Sequence, residues 1–215
     1  MESIWICDVE VRIEESESYL QINDIDSSMI KRIWEALSDQ YVGFELCFCF
    51  HDNTPSEEEI KAIGAEIIDD CVDMLISPQD FKPADAQGSV GELDLKDFEA
   101  FAAMHDILPD MYWSSRRIRE AWSKWRIFVV HDDNRIAGYA MLMITMRSPD
   151  MSEIFALEAS NSSHKKALLS AACIASFEAD KNQVVFMTDT AEQQEIAQSL
   201  GFMNVGFYEG YRVML

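Results

Sequence analysis

The sequence predicts an α+β fold of the three-layer α/β kind, a mixed central sheet flanked by helices and preceded by a smaller α+β domain. Three observations predict it. Residues 126–215 order themselves as a hairpin, an extended strand, a helix, a strand, a helix and a closing pair of strands. The run 41–50 (YVGFELCFCF), well before that block, is dense in aromatic and β-forming residues. Between the two, Lys82-Pro83-Ala84-Asp85-Ala86-Gln87-Gly88-Ser89-Val90-Gly91 has the small residues, proline and glycines of a linker. Domains are therefore expected at 1–88 and 89–215.

In the first half, 4–13 reads as a strand and 28–37 as a short helix. His51-Asp52-Asn53-Thr54-Pro55-Ser56 is a turn, and Ser56 or Thr54 is placed to cap the helix that follows. Glu57, Glu58 and Glu59 then fall in its first turn, where acids complement the helix dipole. Ile60, Ile63, Ile67, Val72 and Leu75 approximate helical spacing and carry that helix on through Met74. No chemical constellation stands out in this half.

In the second half, Leu93-Asp94-Leu95 suggests a short strand, and Asp97 is placed to cap a helix bearing Phe98, Phe101, Ala102 and His105. Pro109 would end it. A helix over 114–125 sets Arg116, Arg117, Arg119 and Lys124 beside Trp113, Trp122 and Trp125. Two β-rich runs, 126–131 and 135–144, flank the polar turn Asp132-Asp133-Asn134 and read as a hairpin.

Composition limits the function. A hydrophobic content of 48% with 11% aromatics belongs to a chain that builds a core. No apolar run approaches the roughly 20 residues that span a bilayer, and the start Met1-Glu2-Ser3-Ile4-Trp5 lacks a secretory pattern. A cytoplasmic protein is expected. Cys47 and Cys49 share a strand face, but no Cys/His ligand spacing appears, so the five cysteines read as free thiols and no metal site is expected. The net charge of −22 is uneven, with 21 acids and 5 bases in 1–90 against 18 and 12 in 91–215. Such a field disfavours nucleic acid and anionic membranes. It favours a cationic partner, either a small-molecule amine or a basic protein.

Four stretches in order resemble one family. They are Leu93-Asp94-Leu95-Lys96-Asp97-Phe98-Glu99-Ala100-Phe101 and the hairpin ending Ile136-Ala137-Gly138-Tyr139-Ala140-Met141-Leu142. Next comes Glu153-Ile154-Phe155-Ala156-Leu157-Glu158-Ala159, before a helix with Leu168 and Leu169. Last is Val184-Val185-Phe186-Met187-Thr188, with a helix closing on Leu200-Gly201-Phe202, where Gly201 suits a left-handed cap. Over about 92–215 this order resembles the GNAT superfamily of acyl-CoA-dependent N-acyltransferases. The first half, with a similar strand–helix–strand outline, would then be a degenerate GNAT-like half.

The resemblance implies acyl transfer, acetyl from acetyl-CoA, onto an amine. The pantetheine would lie along the strand that carries Phe155 and Leu157. The diphosphate would meet the loop Ser160-Asn161-Ser162-Ser163-His164-Lys165. That loop has none of the family's glycines, so Ser160, Ser163, His164, Lys165 and Lys166 are the groups left to hold an anion. Glu158 is the candidate general base, with Glu153 behind it. Ala197 stands where many members carry a proton-donating Tyr, and Tyr208 and Tyr211 follow nearby in sequence. The arginines of 116–126 admit a second role as an anion site, and the tryptophans read as core. The alternative is a GNAT-like binding or regulatory protein without catalysis, recruiting a basic partner.

Overall fold

The computed structural model describes residues 2–23, 25–84, 90–108, 112–133, 135–144, 146 and 148–215. The expected boundary near 88, the helix stop at Pro109 and Asn134 of the hairpin turn lie outside these residues. The chain forms two compact units, Met1–Val72 with Gly206–Leu215, and Asp73–Val205.

The first unit begins with β1 (Glu2–Ile6), β2 (Val9–Glu14) and β3 (Tyr19–Ile22). The single strand expected over 4–13 is in fact a hairpin. Cys7 and Asp8 both take positive φ, 51° and 66°, and reverse the chain in two residues. A 3₁₀ turn then leads into α1 (Ile30–Ser38), whose Ile30, Ile33 and Leu37 are buried on one side. β4 (Glu45–His51) alternates Leu46, Phe48 and Phe50 into the core, and starts later than expected.

Ser56 caps α2 (Glu57–Ile63) and forms a reciprocal capping box with Glu59. The helix does not continue to Met74. Gly64, at φ 74°, closes it, and Glu66–Ile76 is strand β5. The buried positions come in steps of two, Cys71 and Asp73 and then, after one change of parity, Met74 and Ile76, which suits an extended chain better than one helical face. Strands in this unit run β1-β2-β3-β4-β11-β5, where β11 is Met203–Met214. β3 and β4 are parallel, while β11 lies antiparallel to β4 from Tyr208↔His51 to Met214↔Glu45. Tyr211 and Val213 of β11 join the core with Phe48 and Phe50. The closing pair of strands expected from sequence is this one strand.

The second unit contains β6 (Val90–Glu92), α3 (Phe98–His105), α4 (Ser115–Glu120), β7 (Trp125–Asp132) and β8 (Arg135–Met143). Then come β9 (Met151–Ala159), α5 (Ser162–Glu178), β10 (Gln183–Thr188) and α6 (Ala191–Leu200). Strand order is β5-β10-β9-β8-β7-β6, with β9 and β10 parallel and β6 to β9 antiparallel. Leu93-Asp94-Leu95 is not a strand. Asp94 accepts the Lys96 N–H and opens a 3₁₀ turn that runs into α3, while Asp97 makes no side-chain cap. Ser114 caps α4, a shorter helix than the one expected over 114–125.

This unit has three layers. Phe98, Phe101 and Ile118 of α3 and α4 pack on one sheet face with Trp125, Ile127, Tyr139 and Met141. On the other face lies α5, which buries Leu168, Leu169, Ala172 and Cys173 and contacts β7, β8 and β9. Ser152 of β9 and Ser176 of α5 share a buried hydrogen bond of 2.6 Å there. Gly201 ends α6 at φ 104°, the left-handed cap expected from sequence. A Cβ there would come within 2.1 Å of the Asp80 carbonyl oxygen, so glycine is required twice over.

Candidate functional site

The site begins with an irregularity in β9. Against β8, Ala156 pairs with Met141 and Ile154 with Leu142, so Phe155 is an extra residue, a β-bulge. The parallel ladder with β10 ends at the same place, on the pair Phe186↔Ile154, although β9 runs on to Ala159. From Phe155 onward β9 has an edge with no register to β10. A backbone edge of this kind offers N–H and C=O groups to an extended ligand.

The bulge also decides which way Glu158 points. Regular alternation from Ile154 would place Glu158 on the α5 face. The extra residue reverses the parity, and Glu158 pairs with Tyr139 on the α3 face. Ala156 and Phe155 both belong to the cluster on that face, Phe155 meeting Trp125 edge-to-face at 5.7 Å. Gly138 permits the arrangement. A Cβ there would lie 2.5 Å from the Ala159 Cβ and 2.6 Å from the Glu158 carbonyl oxygen.

Glu158 is half-buried, and burial raises its carboxyl above the ordinary value; Lys165 opposes this and Asp189 adds to it. Beside it, Tyr139 is fully buried and its hydroxyl lies 2.9 Å from His105 Nδ1. The other ring nitrogen of His105 lies 2.6 Å from the Trp113 carbonyl, which fixes Nε2 as the donor and Nδ1 as the acceptor of the Tyr139 hydroxyl in the neutral ring. Nearby, the buried Trp125 indole N–H has no acceptor among the described residues. Glu153 lies before the bulge, paired with both Met143 and Val185 inside the continuous sheet.

The start of α5 holds the remaining expected residues. Leu157 is buried and offers this site only its backbone. Ser160 and Ser163 are exposed, while His164 and Lys166 are half-buried. Asn161 is the cap, accepting the His164 N–H at 2.8 Å, and its amide nitrogen lies 3.0 Å from His164 Nδ1. Lys165 donates to Glu192 Oε2 at 2.6 Å, and Ser162 Oγ donates to Glu192 Oε1 at 2.5 Å.

The arginines expected as a second anion site are engaged elsewhere. Arg119 pairs with Glu99 at 2.6 Å, Arg126 grips Glu92 with two nitrogens, and Arg117 lies over the Tyr112 ring. Trp122 and Trp125 pack as core, as expected. His131 stands exposed at the hairpin end of β7. Ala197 is buried in α6, and Tyr208 and Tyr211 belong to the first unit. Among the described residues no cluster of His, Cys, Asp and Glu is arranged to hold a metal, and no helix is long and apolar enough to cross a membrane.

Solved structures supply the frame for this geometry. A GCN5-related N-acetyltransferase from Kribbella flavida superposes with a TM-score of 0.69 at 9% identity, over 98% of this chain and 88% of its own. Another, from Sphaerobacter thermophilus, gives 0.67 at 11% identity over 95% and 76%. A conserved protein of unknown function from Staphylococcus epidermidis gives 0.71 at 11% identity over 96% and 90%. The chain adopts the GNAT fold. No family model matches the sequence, and no curated relative does. The structural likeness is wider than the sequence resemblance over 92–215, since it takes in the first half as well.

The two ends of the site differ. The edge of β9 beyond the bulge offers backbone N–H and C=O groups to an extended, amide-bearing ligand. At the start of α5 the side chains of Ser162 and Lys165 are already bound to Glu192. The sequence names Glu158 and Lys165 as candidates and gives no sign of the bulge or of the Glu192 contacts. Of the Asn161 cap bond it gives only the residue type, a favoured cap three residues before the His164 N–H.

Proposed function

We propose that the chain is an N-acyltransferase that uses an acyl-CoA, with acetyl-CoA the expected donor and an amine the acceptor. One observation carries this reading. The bulge at Phe155 turns Glu158 toward the α3 face at the point where β9 parts from β10. A basic group and an unpaired strand edge thus stand together.

Bound acyl-CoA would supply a thioester carbonyl for the amine to attack. Backbone N–H groups of β9 past Phe155 would hold the donor and polarise that carbonyl. Glu158 takes a proton from the acceptor nitrogen, directly or through water, as the N–C bond forms and the C–S bond breaks. Its burial keeps it more basic than an exposed carboxylate. The departing thiolate takes its proton from solvent, since alanine occupies 197. The negative net charge favours a cationic acceptor, a small amine or a basic protein.

Isothermal titration with acetyl-CoA and CoA, followed by thiol release with a panel of amines, tests the proposal. Binding at or below millimolar, and turnover that falls about 10²-fold in Glu158→Gln, are expected. No binding at millimolar donor overturns it. The second reading is a GNAT-fold binding protein that recruits a basic partner without catalysis. The Lys165–Glu192 pair and Ala197 favour it. It expects capture of a basic protein that weakens with salt, and no thiol release.

A further inference from the structure

We propose that Glu192 is a built-in competitor for the donor's diphosphate, and that it makes this site select acyl thioesters by their pantetheine arm rather than by their phosphates. The inference rests on the acyl-donor reading above and deepens it.

Both oxygens of one carboxylate are used. Oε1 accepts the Ser162 hydroxyl at 2.5 Å and Oε2 accepts the Lys165 ammonium at 2.6 Å, so a single anion spans the first turn of α5. That is the pattern in which a phosphate would use the same two donors. Asn161 has taken the His164 N–H through its side chain and the Lys165 N–H through its carbonyl. Of this turn, the N–H groups of Ser162 and Ser163 remain to face an incoming ligand.

Charge makes the occupation effective. Lys165 and Glu192 sum to zero, so a diphosphate gains no net positive charge from this pair and must separate it to gain Lys165. Glu192 is held from its own side too, in the first turn of α6, where the dipole favours an acid. The hydrogen bonds from Lys165 and Ser162 lower its pKa further, so it remains an anion near neutral pH. The Lys165 side chain is 15% exposed and that of Glu192 45%, so the carboxylate is the member that solvent and ligands reach. A side chain in place of the usual loop glycines adds to the exclusion.

The experiment titrates the full chain and its Glu192→Gln and Lys165→Met/Glu192→Gln variants with acetyl-CoA, acetyl-pantetheine and inorganic pyrophosphate. Wild type is expected to bind acetyl-CoA and acetyl-pantetheine within about threefold of each other. Glu192→Gln should tighten acetyl-CoA and pyrophosphate about tenfold, a gain on the scale of one charge-assisted contact, and leave acetyl-pantetheine unchanged. The double variant should lose the gain. Equal pyrophosphate affinity in wild type and Glu192→Gln overturns the role of Glu192. If neither thioester binds any of the proteins, the acyl-donor reading falls, and the pyrophosphate titration alone still decides whether Glu192 competes for anions.

Discussion

Glu158 carries a pH signature that separates it from a solvated strand acid. Its carboxyl is raised in the folded protein above the ordinary 4.5, first by burial. A group with a raised folded pKa favours the folded state below its unfolded value, and that contribution is lost as pH rises through the folded one. Wild type should therefore lose stability relative to Glu158→Gln from about pH 4.5 upward, and the difference should level off above the folded pKa. Parallel thermal melts of the two proteins across pH 4–8 check this; a constant offset would mean an unperturbed carboxylate. In kcat/KM the acidic limb should likewise sit above the ordinary carboxylate range. The residue was visible in the sequence as an acid late in a strand, but its direction was not, because one extra residue upstream reverses which face it takes. Glu192 was less visible still, since an acid in the first turn of a helix is what the dipole alone would select.

Elements were legible where local chemistry and tertiary demand agree. Ser56 with Glu59 announces α2, and Leu200-Gly201-Phe202 announces the end of α6. Ser56→Ala removes the hydroxyl half of the capping box, and about 1 kcal/mol of stability should go with it, within roughly 0.5–2. Denaturant titration read at constant m-value measures the loss. The stretch 66–76 misled because Ile67, Val72 and Leu75 roughly continue the helical spacing of Ile60 and Ile63. Gly64, which ends α2 in the left-handed conformation, was the punctuation that decided between them. The join of β8 and β9 was hidden for another reason: a bulge is a property of two strands together. Gly138→Ala tests that join. Its methyl would need the space of the Ala159 methyl and the Glu158 carbonyl, so β9 must shift at its far end. A cost of about 1–3 kcal/mol is expected, with loss of acetyl-CoA binding and turnover together rather than turnover alone.

The molecule as a whole does not divide where composition changes. Residues 1–72 are completed by 206–215, and 73–205 holds Met74 and Ile76 of β5 in its buried set. Expressed separately, 1–88 would lack Tyr211 and Val213 from its core, and 89–215 would lack Met74 and Ile76. Neither fragment should show a cooperative melt, whereas 1–72 joined by a flexible linker to 206–215 should regain one; a sharp transition in isolated 1–88 would contradict this. Linker-like residues and a charge shift around 88 are local signals, and a strand returning from far along the chain leaves none. That return has a consequence for synthesis. The edge of β4 that receives β11 is made early, and its partner follows only after all of 73–205. At about 5–20 residues per second the ribosome needs roughly 8 to 30 seconds to deliver it. For that interval a strand rich in phenylalanine and cysteine has an open edge, the kind that pairs with other nascent chains. A chaperone that holds this edge during translation should raise the yield of folded protein more than one added after release.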